Sequence, residues 1–271
     1  MDIGVEGLSF DYGKSNVLDD ITLNIEGPGL VSIIGPNGVG KSTLLRCLNK
    51  LNKPARGRVL IDGEDIENYS FKELARIMTY VPTNSSDLFS MNVIDTVLMG
   101  RSPFQRGSKV SDLDFEIANR SIRIMDMEDY ALRNFNELSA GQHQKVTISR
   151  GLAQTPKILI MDEPTANLDV CHQMQTMEVL KYLSKAYDML VVMVSHDLNI
   201  AAKYSDKLIL MAPPGIIHSV GSPVEVLTED NIESVYRIKC RILMENGAPH
   251  IISQYPLSDA MAAIRDSRTE H

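Results

Sequence analysis

The segment with the clearest chemistry is Gly35–Ser42, GPNGVGKS, which fits the phosphate-loop spacing G-x-x-x-x-G-K-[ST]. Its glycines allow the backbone to curl so that several N–H groups point at an anion. Lys41 is expected to reach the β- and γ-phosphates of a nucleotide, and the Ser42 hydroxyl is expected to ligate Mg²⁺. The predicted contacts to ATP are Gly35, Pro36, Asn37, Gly38, Val39, Gly40, Lys41, Ser42 and Thr43.

Two carboxylates at the end of an apolar run add to this chemistry. Ile158–Met161 is followed directly by Asp162 and Glu163. A buried strand that ends here would place Asp162 at the carboxyl edge of a parallel sheet, where ligands bind, and there it could hold Mg²⁺ opposite Ser42. Glu163 is one residue further on and points elsewhere, so it is a candidate general base for an attacking water.

The elements that must position these residues are short apolar strands alternating with helical stretches, a pattern that indicates an α/β parallel sheet. One helix is predicted to present Met177, Leu180, Leu183 and Tyr187 to the core. Other helical patterns cover 41–51, 71–77 and 110–127. Strand patterns cover 17–25, 30–34, 58–61, 157–161, 189–194 and 207–211.

Composition narrows the class of protein. The 271 residues are 44% hydrophobic and 23% charged, as in ordinary globular chains, and the net charge of −8 disfavours a protein that coats nucleic acid. No apolar run approaches the roughly 18 residues of a spanning helix, and the N-terminus lacks a signal-peptide pattern. We therefore expect a location on the cytoplasmic side, and we expect Cys47, Cys171 and Cys240 to be reduced packing residues.

Three further motifs follow in order: Leu138-Ser139-Ala140-Gly141-Gln142, then Ala166-Asn167-Leu168-Asp169, then Ser195-His196-Asp197. Together with the phosphate loop and the two carboxylates, this series resembles the ATP-binding subunits of ABC transporters, whose LSGGQ signature has a glycine where this chain has Ala140. The resemblance implies an α/β P-loop NTPase (RecA-like) core with an N-terminal antiparallel β subdomain and an inserted α-helical subdomain. It implies one ABC ATPase domain over 1–256, with core segments 1–84 and 153–256, a helical insert at 85–152, and a polar tail at 257–271.

The resemblance also implies roles for single residues. Ser139, Gly141 and Gln142 would offer polar groups and a helix N-terminus to the γ-phosphate of ATP held by a second copy of the chain. Two copies would thus sandwich two ATP molecules head to tail. Asp169 resembles the aspartate that crosses this interface, His196 resembles the histidine that contacts the γ-phosphate, and Tyr12 resembles the aromatic residue that stacks on adenine.

One position departs from the family. Tyr80-Val81-Pro82-Thr83 stands where the family usually has a glutamine that contacts Mg²⁺ and the water. Thr83 lacks an amide, although its hydroxyl can bind a water on the metal, and Asn84 has an amide one residue later. We expect the enzyme to remain active, with weaker ordering of the metal or water, because Asp162, Glu163 and His196 persist.

A narrower resemblance indicates the type of transporter. Thr96–Phe104, Val194–Asp206 and Glu225–Thr228 look like segments of ATPases that serve importers of iron–siderophore complexes, haem or cobalamin. The partners so implied are transmembrane permease subunits and, indirectly, a substrate-binding protein. For Gly100-Arg101 taken alone, a helix end with a solvated arginine explains the residues nearly as well as the importer resemblance does. Alternatives are another class of ABC transporter, a soluble ABC ATPase acting on DNA or ribosomes, a nucleotide-binding regulator without turnover, and a small-molecule P-loop kinase.

Overall fold

The apolar runs of the sequence form strands in a computed structural model that describes residues 1–13, 16–83, 91–105, 109–166 and 168–257. The predicted polar tail, apart from Leu257, lies outside the described residues, as do Asn84 and Asn167. Within the described ranges the strands are β1 (Ile3–Asp11), β2 (Asn16–Ile25), β3 (Gly29–Ile34), β4 (Arg56–Ile61), β5 (Glu64–Asp65), β6 (Met78–Val81), β7 (Ile158–Asp162), β8 (Leu190–Val194), β9 (Lys207–Ala212), β10 (Ile216–Gly221), β11 (Ile238–Glu245) and β12 (Ala248–Pro256).

The central sheet has the order β10-β9-β3-β8-β7-β6. Its strands are parallel except for β10, which runs antiparallel to β9 at the edge. Every residue of β3, β7 and β8 is buried, because helices cover both faces of a parallel sheet. A second sheet, β2-β1-β4-β5, is antiparallel throughout. The predicted combination of an α/β core and an N-terminal antiparallel unit is confirmed.

The helices of the described residues lie mainly in three regions. One follows β3, a group of three occupies the connection from β6 to β7, and four lie between and after the later strands, while one short helix precedes β6. They are α1 (Lys41–Leu48), α2 (Phe71–Leu74), α3 (Val93–Leu98), α4 (Asp112–Ile124), α5 (Ala140–Ala153), α6 (Val170–Ala186), α7 (Leu198–Tyr204), α8 (Pro223–Val226) and α9 (Glu229–Tyr236). No helix of the described ranges has the length and apolar character of a membrane span.

The helices between β6 and β7 form a packed unit. The helices α3 and α4 both contact α5, and their apolar side chains join the cluster that covers one face of the sheet. Gly100 allows the closest approach, because a Cβ there would lie 2.2 Å from the backbone oxygen of Arg150 in α5. This contact holds the residues that directly follow α3 against α5, the helix that begins at the Ser139 motif.

Several local predictions were wrong. The first helix ends at Leu48 rather than at residue 51, and α2 ends at Leu74 rather than at 77. Tyr187 follows α6 and is 53% exposed, so it does not extend the core stripe of Met177, Leu180 and Leu183. Among the cysteines, Cys47 and Cys240 are buried as predicted, whereas Cys171 is exposed in the first turn of α6.

Arg101 also corrects one of the two readings given to its segment. It is not a solvated arginine at a helix end but is 5% exposed. Its Nε donates to Asp114 Oδ1 at 2.9 Å, and its Nη1 donates to the Ala153 backbone oxygen at 2.9 Å. The guanidinium and a hydrogen bond from Ser111 hold the pKa of the Asp114 carboxyl below its usual range, with the Ser111 bond the larger cause. Arg101 therefore ties α4 to the end of α5.

We expect Arg101→Met to lower the free energy of unfolding by roughly 3–5 kcal/mol, because the variant leaves a buried carboxylate without its cation. Arg123→Met is the matched control, since Arg123 forms an exposed pair with Glu128 and should change stability by less than about 1 kcal/mol. Urea unfolding of both variants beside the wild type measures the difference. Equal losses in the two variants would contradict the role assigned to Arg101.

Candidate functional site

The carboxyl ends of three central strands meet at one edge of the sheet. β3 leads into Gly35 and the phosphate loop, β7 ends at Asp162, and β8 leads to Ser195 and His196. Because β8 lies between β3 and β7, these segments are brought together although they are far apart in the chain. This edge is where open α/β sheets bind ligands.

The phosphate loop opens α1 with a left-handed glycine. Gly40 is the N-cap residue with φ of 102°, a conformation that favours glycine. A Cβ at Gly40 would also lie 2.8 Å from the backbone oxygen of Val17. Gly35 is equally confined, because a Cβ there would lie 2.5 Å from the backbone oxygen of Met211. The glycines at these two positions are therefore required by both backbone angle and space.

Lys41 lies inside the loop rather than in solvent. It is 5% exposed, and its Nζ donates to the backbone oxygens of Gly35 at 2.8 Å and Pro36 at 2.9 Å. Burial lowers the pKa of the Lys41 ammonium, while the carboxylates of Glu163 and Asp162 act in the opposite direction. A buried ammonium whose partners are neutral carbonyls is well suited to bind a phosphate.

Ser42 and Asp162 converge as the sequence predicted. The Ser42 hydroxyl donates to Asp162 Oδ1 at 2.8 Å, across the space between α1 and β7. A hydroxyl and a carboxylate are hard oxygen donors, which is the ligand chemistry that Mg²⁺ prefers. The residues present thus fit a magnesium ion bound together with nucleotide phosphates.

Glu163 and His196 are in direct contact. His196 Nε2 and Glu163 Oε1 are 2.5 Å apart, and both side chains are partly open to solvent, at 43% and 28% exposure. Glu163 has φ of 51°, a left-handed conformation that a residue with a side chain adopts at a cost of about 1–3 kcal/mol. Such strain at the end of a buried strand points to a functional position rather than a packing position.

Thr83 lies close to the same strand end. Its hydroxyl donates to the backbone oxygen of Asp162 at 2.9 Å, so in this structure it supports the backbone of Asp162 rather than offering an oxygen to a ligand. Tyr80, which was given no role from the sequence, is a second neighbour of Asp162. Tyr80 donates to Asp162 Oδ2 at 3.3 Å, and its pKa is raised by burial and then by the charge of Asp162.

Tyr12 lies at the opposite end of the loop. It is 56% exposed, its ring meets Phe10 edge to face with centroids 4.8 Å apart, and its hydroxyl accepts from Asn52 at 3.1 Å. An exposed ring held in place by polar contacts can receive a base against its face. Tyr12 lines a cavity of about 700 Å³ with Val17, Asn37, Gly38, Gly40, Lys41, Ser42, Thr43, Glu163 and His196.

The Ser139 motif forms a separate site. Ser139 caps α5 by accepting from the Gln142 backbone N–H, and the Gln142 side chain accepts from the Ser139 N–H in return. None of these residues lines the cavity of about 700 Å³ beside the phosphate loop, which we call the phosphate cavity. They border a second cavity of about 540 Å³ with Asp126, Met127, Tyr130, Ser139, Ala140, Gly141, Gln142, Lys145, Leu168, Asp169 and His172.

Asp169 accompanies the Ser139 motif rather than the phosphate loop. It caps α6 by accepting from the His172 backbone N–H at 2.9 Å, and His172 Nδ1 lies 2.9 Å from each carboxylate oxygen. The backbone and side-chain bonds from His172 lower the pKa of the Asp169 carboxyl. The predicted residues thus fall into two groups on one chain, one around the phosphate loop and the nearby strand ends and the other around the Ser139 motif.

The chain has relatives among ATP-binding proteins of ABC transporters. Residues 18–166 match the family model described as ABC transporter. The chain is 42% identical to an uncharacterised ABC transporter ATP-binding protein of Methanocaldococcus jannaschii over 93% of this chain and 98% of that one. It is 36% identical to a cobalamin import ATP-binding protein of Halobacterium salinarum, over 98% of this chain and 66% of the relative.

Solved structures share the fold. An inward-facing structure of a transporter described as of the metal-chelate ABC type superposes with a TM-score of 0.80 at 26% identity, covering 93% of this chain and 97% of the other. A bacterial ABC transporter cassette solved as a dimer superposes with a TM-score of 0.73 at 28% identity, covering 81% and 98%. The relatives in sequence and the solved structures of similar fold are thus all ABC transporter proteins.

Proposed function

The chain belongs to the ABC transporter family as an ATP-binding ATPase subunit, and we propose that it powers an importer of iron–siderophore complexes or cobalamin. The cargo class is supported by relatives whose names are those of import proteins for cobalamin and for petrobactin, the latter 35% identical. The observation that carries the mechanism is the separation of the phosphate cavity from the Ser139 cavity within one chain.

A complete site then requires two copies of the chain. Each copy holds one ATP against Gly35–Thr43, and the partner covers the γ-phosphate with its Ser139–Gln142 segment. The N-terminus of α5 supplies N–H groups and the positive end of a helix dipole to that phosphate. Because each chain contributes a different half to each site, two ATP molecules are bound head to tail.

The residues of the strand ends carry out hydrolysis. Ser42 and Asp162 would hold Mg²⁺, which supplies neutralising charge to the phosphate oxygens when it is bound. Glu163 accepts a proton from the water that attacks the γ-phosphorus, the bond to the β-phosphate oxygen breaks, and ADP and phosphate result. His196 lies against Glu163 and can hold both the carboxylate and the γ-phosphate in place.

The partners and location follow from the same proposal. The core is formed by 1–84 and 153–256, and the helical insert 85–152 contacts the transmembrane permease at the cytoplasmic face of the membrane. Arg101 supports such a transfer of motion, because it ties this insert to the end of the helix that starts at Ser139. Closure on ATP and opening after hydrolysis would then be passed to the permease.

The proposal is tested by co-expression with a membrane permease of the iron–siderophore or cobalamin importer type from the same organism. We expect the two proteins to purify as one membrane complex, and we expect cells to take up a labelled siderophore complex or cobalamin only when this chain is active. Glu163→Gln serves as the inactive control in the uptake assay. Recovery of the chain on ribosomes or DNA, without a permease, would overturn the proposal.

We expect the wild-type protein to have clearly measurable ATPase activity. We expect Thr83→Gln to change kcat by less than about 10-fold, because the variant loses one hydrogen bond of roughly 1 kcal/mol and gains an amide near the attacking water. Thr83→Val is the matched control, because it removes only the bond to the Asp162 backbone. Steady-state ATPase assays compare the three proteins. An almost inactive wild type with a large gain in Thr83→Gln would contradict this account.

A further inference from the structure

The carboxylate of Asp162 is held at both of its oxygens. The Ser42 hydroxyl contacts Oδ1 at 2.8 Å, and the Tyr80 hydroxyl contacts Oδ2 at 3.3 Å. The two hydroxyls come from different elements, since Ser42 begins α1 whereas Tyr80 lies on β6, the strand paired with β7. Only the first of these contacts was predicted from the phosphate-loop pattern.

The chemistry of the two partners fixes the direction of the Tyr80 hydrogen bond. An ionised carboxylate can only accept, whereas a phenol can donate, so the Tyr80 hydroxyl donates its proton to Asp162 Oδ2. Hydrogen bonds to an ionised group are stronger than those between neutral groups.

We propose that Tyr80 is a positioning residue for the metal-binding carboxylate of Asp162. The inference rests on the proposed function, in which Asp162 holds Mg²⁺ beside ATP. Thr83 cannot replace this contact, because it bonds the backbone oxygen of Asp162 and leaves the carboxylate free to rotate.

The predicted consequence is a change in the affinity for Mg²⁺ rather than in the affinity for the nucleotide alone. Loss of the Tyr80 hydroxyl frees Asp162 Oδ2, and outer contacts of this kind typically change metal affinity by roughly 10-fold or more. Contacts of ATP to the phosphate loop do not involve Tyr80. Binding of ATP without metal should therefore be unchanged in Tyr80→Phe, while the gain in affinity that Mg²⁺ provides should shrink.

The test measures binding of the fluorescent nucleotide mant-ATP to the full chain carrying Glu163→Gln, in excess Mg²⁺ and in EDTA. The ratio of the two dissociation constants gives the coupling between metal and nucleotide. We expect Tyr80→Phe to reduce this ratio by roughly 5- to 10-fold with the EDTA value within about 2-fold of the parent. Tyr204→Phe is the control, because Tyr204 is buried, bonds Glu178 at 3.5 Å and lies away from the site.

A second variant keeps the test decisive if Tyr80→Phe does not fold. Tyr80→Leu also removes the hydroxyl that donates to Asp162 Oδ2, so the ratio should fall in the same direction. An unchanged ratio in a folded Tyr80→Phe protein that binds mant-ATP would overturn this inference alone. Failure of the parent protein to bind mant-ATP under either condition would instead overturn the proposed function.

Discussion

Replacing Glu163 with glutamine is expected to lower kcat for ATP hydrolysis by roughly 10²–10⁴-fold while ATP binding persists. The amide has the shape of the carboxylate and can still contact His196, which lies 2.5 Å from Oε1 in the wild type, but it cannot take the proton of the attacking water. Removal of a negative charge beside the γ-phosphate also favours the ATP-bound form. Size-exclusion chromatography should therefore show a dimer that persists in ATP.

The control for this variant is Glu67→Gln, which alters an exposed carboxylate paired with Lys50 and should leave turnover unchanged. Phosphate release and dimer formation are measured for both proteins under the same conditions. Turnover of Glu163→Gln at the wild-type rate would contradict the assignment of the base. A variant that loses turnover but remains monomeric in ATP would contradict the shared site.

Lys41→Met is expected to weaken ATP binding by roughly 100-fold, which corresponds to about 2.8 kcal/mol. The ammonium is the one buried cation that we assign to the β- and γ-phosphates, and charge-assisted bonds to phosphate are strong. The same variant should not destabilise the protein without nucleotide. Burial lowers the pKa of Lys41, which means that the charged form is disfavoured there, and methionine removes this penalty at similar volume.

Two measurements separate these effects of Lys41. The melting temperature without nucleotide should be unchanged or higher, and the rise in melting temperature on adding Mg-ATP should be largely lost. Lys207→Met is the control, because Lys207 forms an exposed pair with Glu26 and should keep the full response to ATP. A Lys41→Met protein that melts much earlier yet binds ATP normally would contradict the role given to this lysine.

The features that could be predicted from the sequence are those that depend on residues adjacent in the chain. Gly35–Ser42 shapes its own backbone, and a fully buried strand such as β7 is visible as a continuous apolar run. The hairpin of β11 and β12 was not predicted. Its burial pattern is irregular, with only Cys240 buried in β11, so the two-residue alternation that marks a half-buried strand is missing.

Contacts between residues that are far apart in the chain could not be predicted from the sequence either. Tyr80 and Asp162 are 82 positions apart in the chain, and no local pattern shows that β6 and β7 are neighbours. Arg101 is likewise buried only because Ala153, 52 positions later, brings a backbone oxygen to it.

A structure of the Glu163→Gln protein with Mg-ATP tests the central claim most directly. The account predicts two chains related by a two-fold axis, with each γ-phosphate held by Lys41 of one chain and within about 3 Å of Ser139 or the Gly141 N–H of its partner. Asp169 should lie at the same interface. ATP bound to the phosphate loop with the Ser139–Gln142 segment of every neighbouring chain facing away from it would contradict the account.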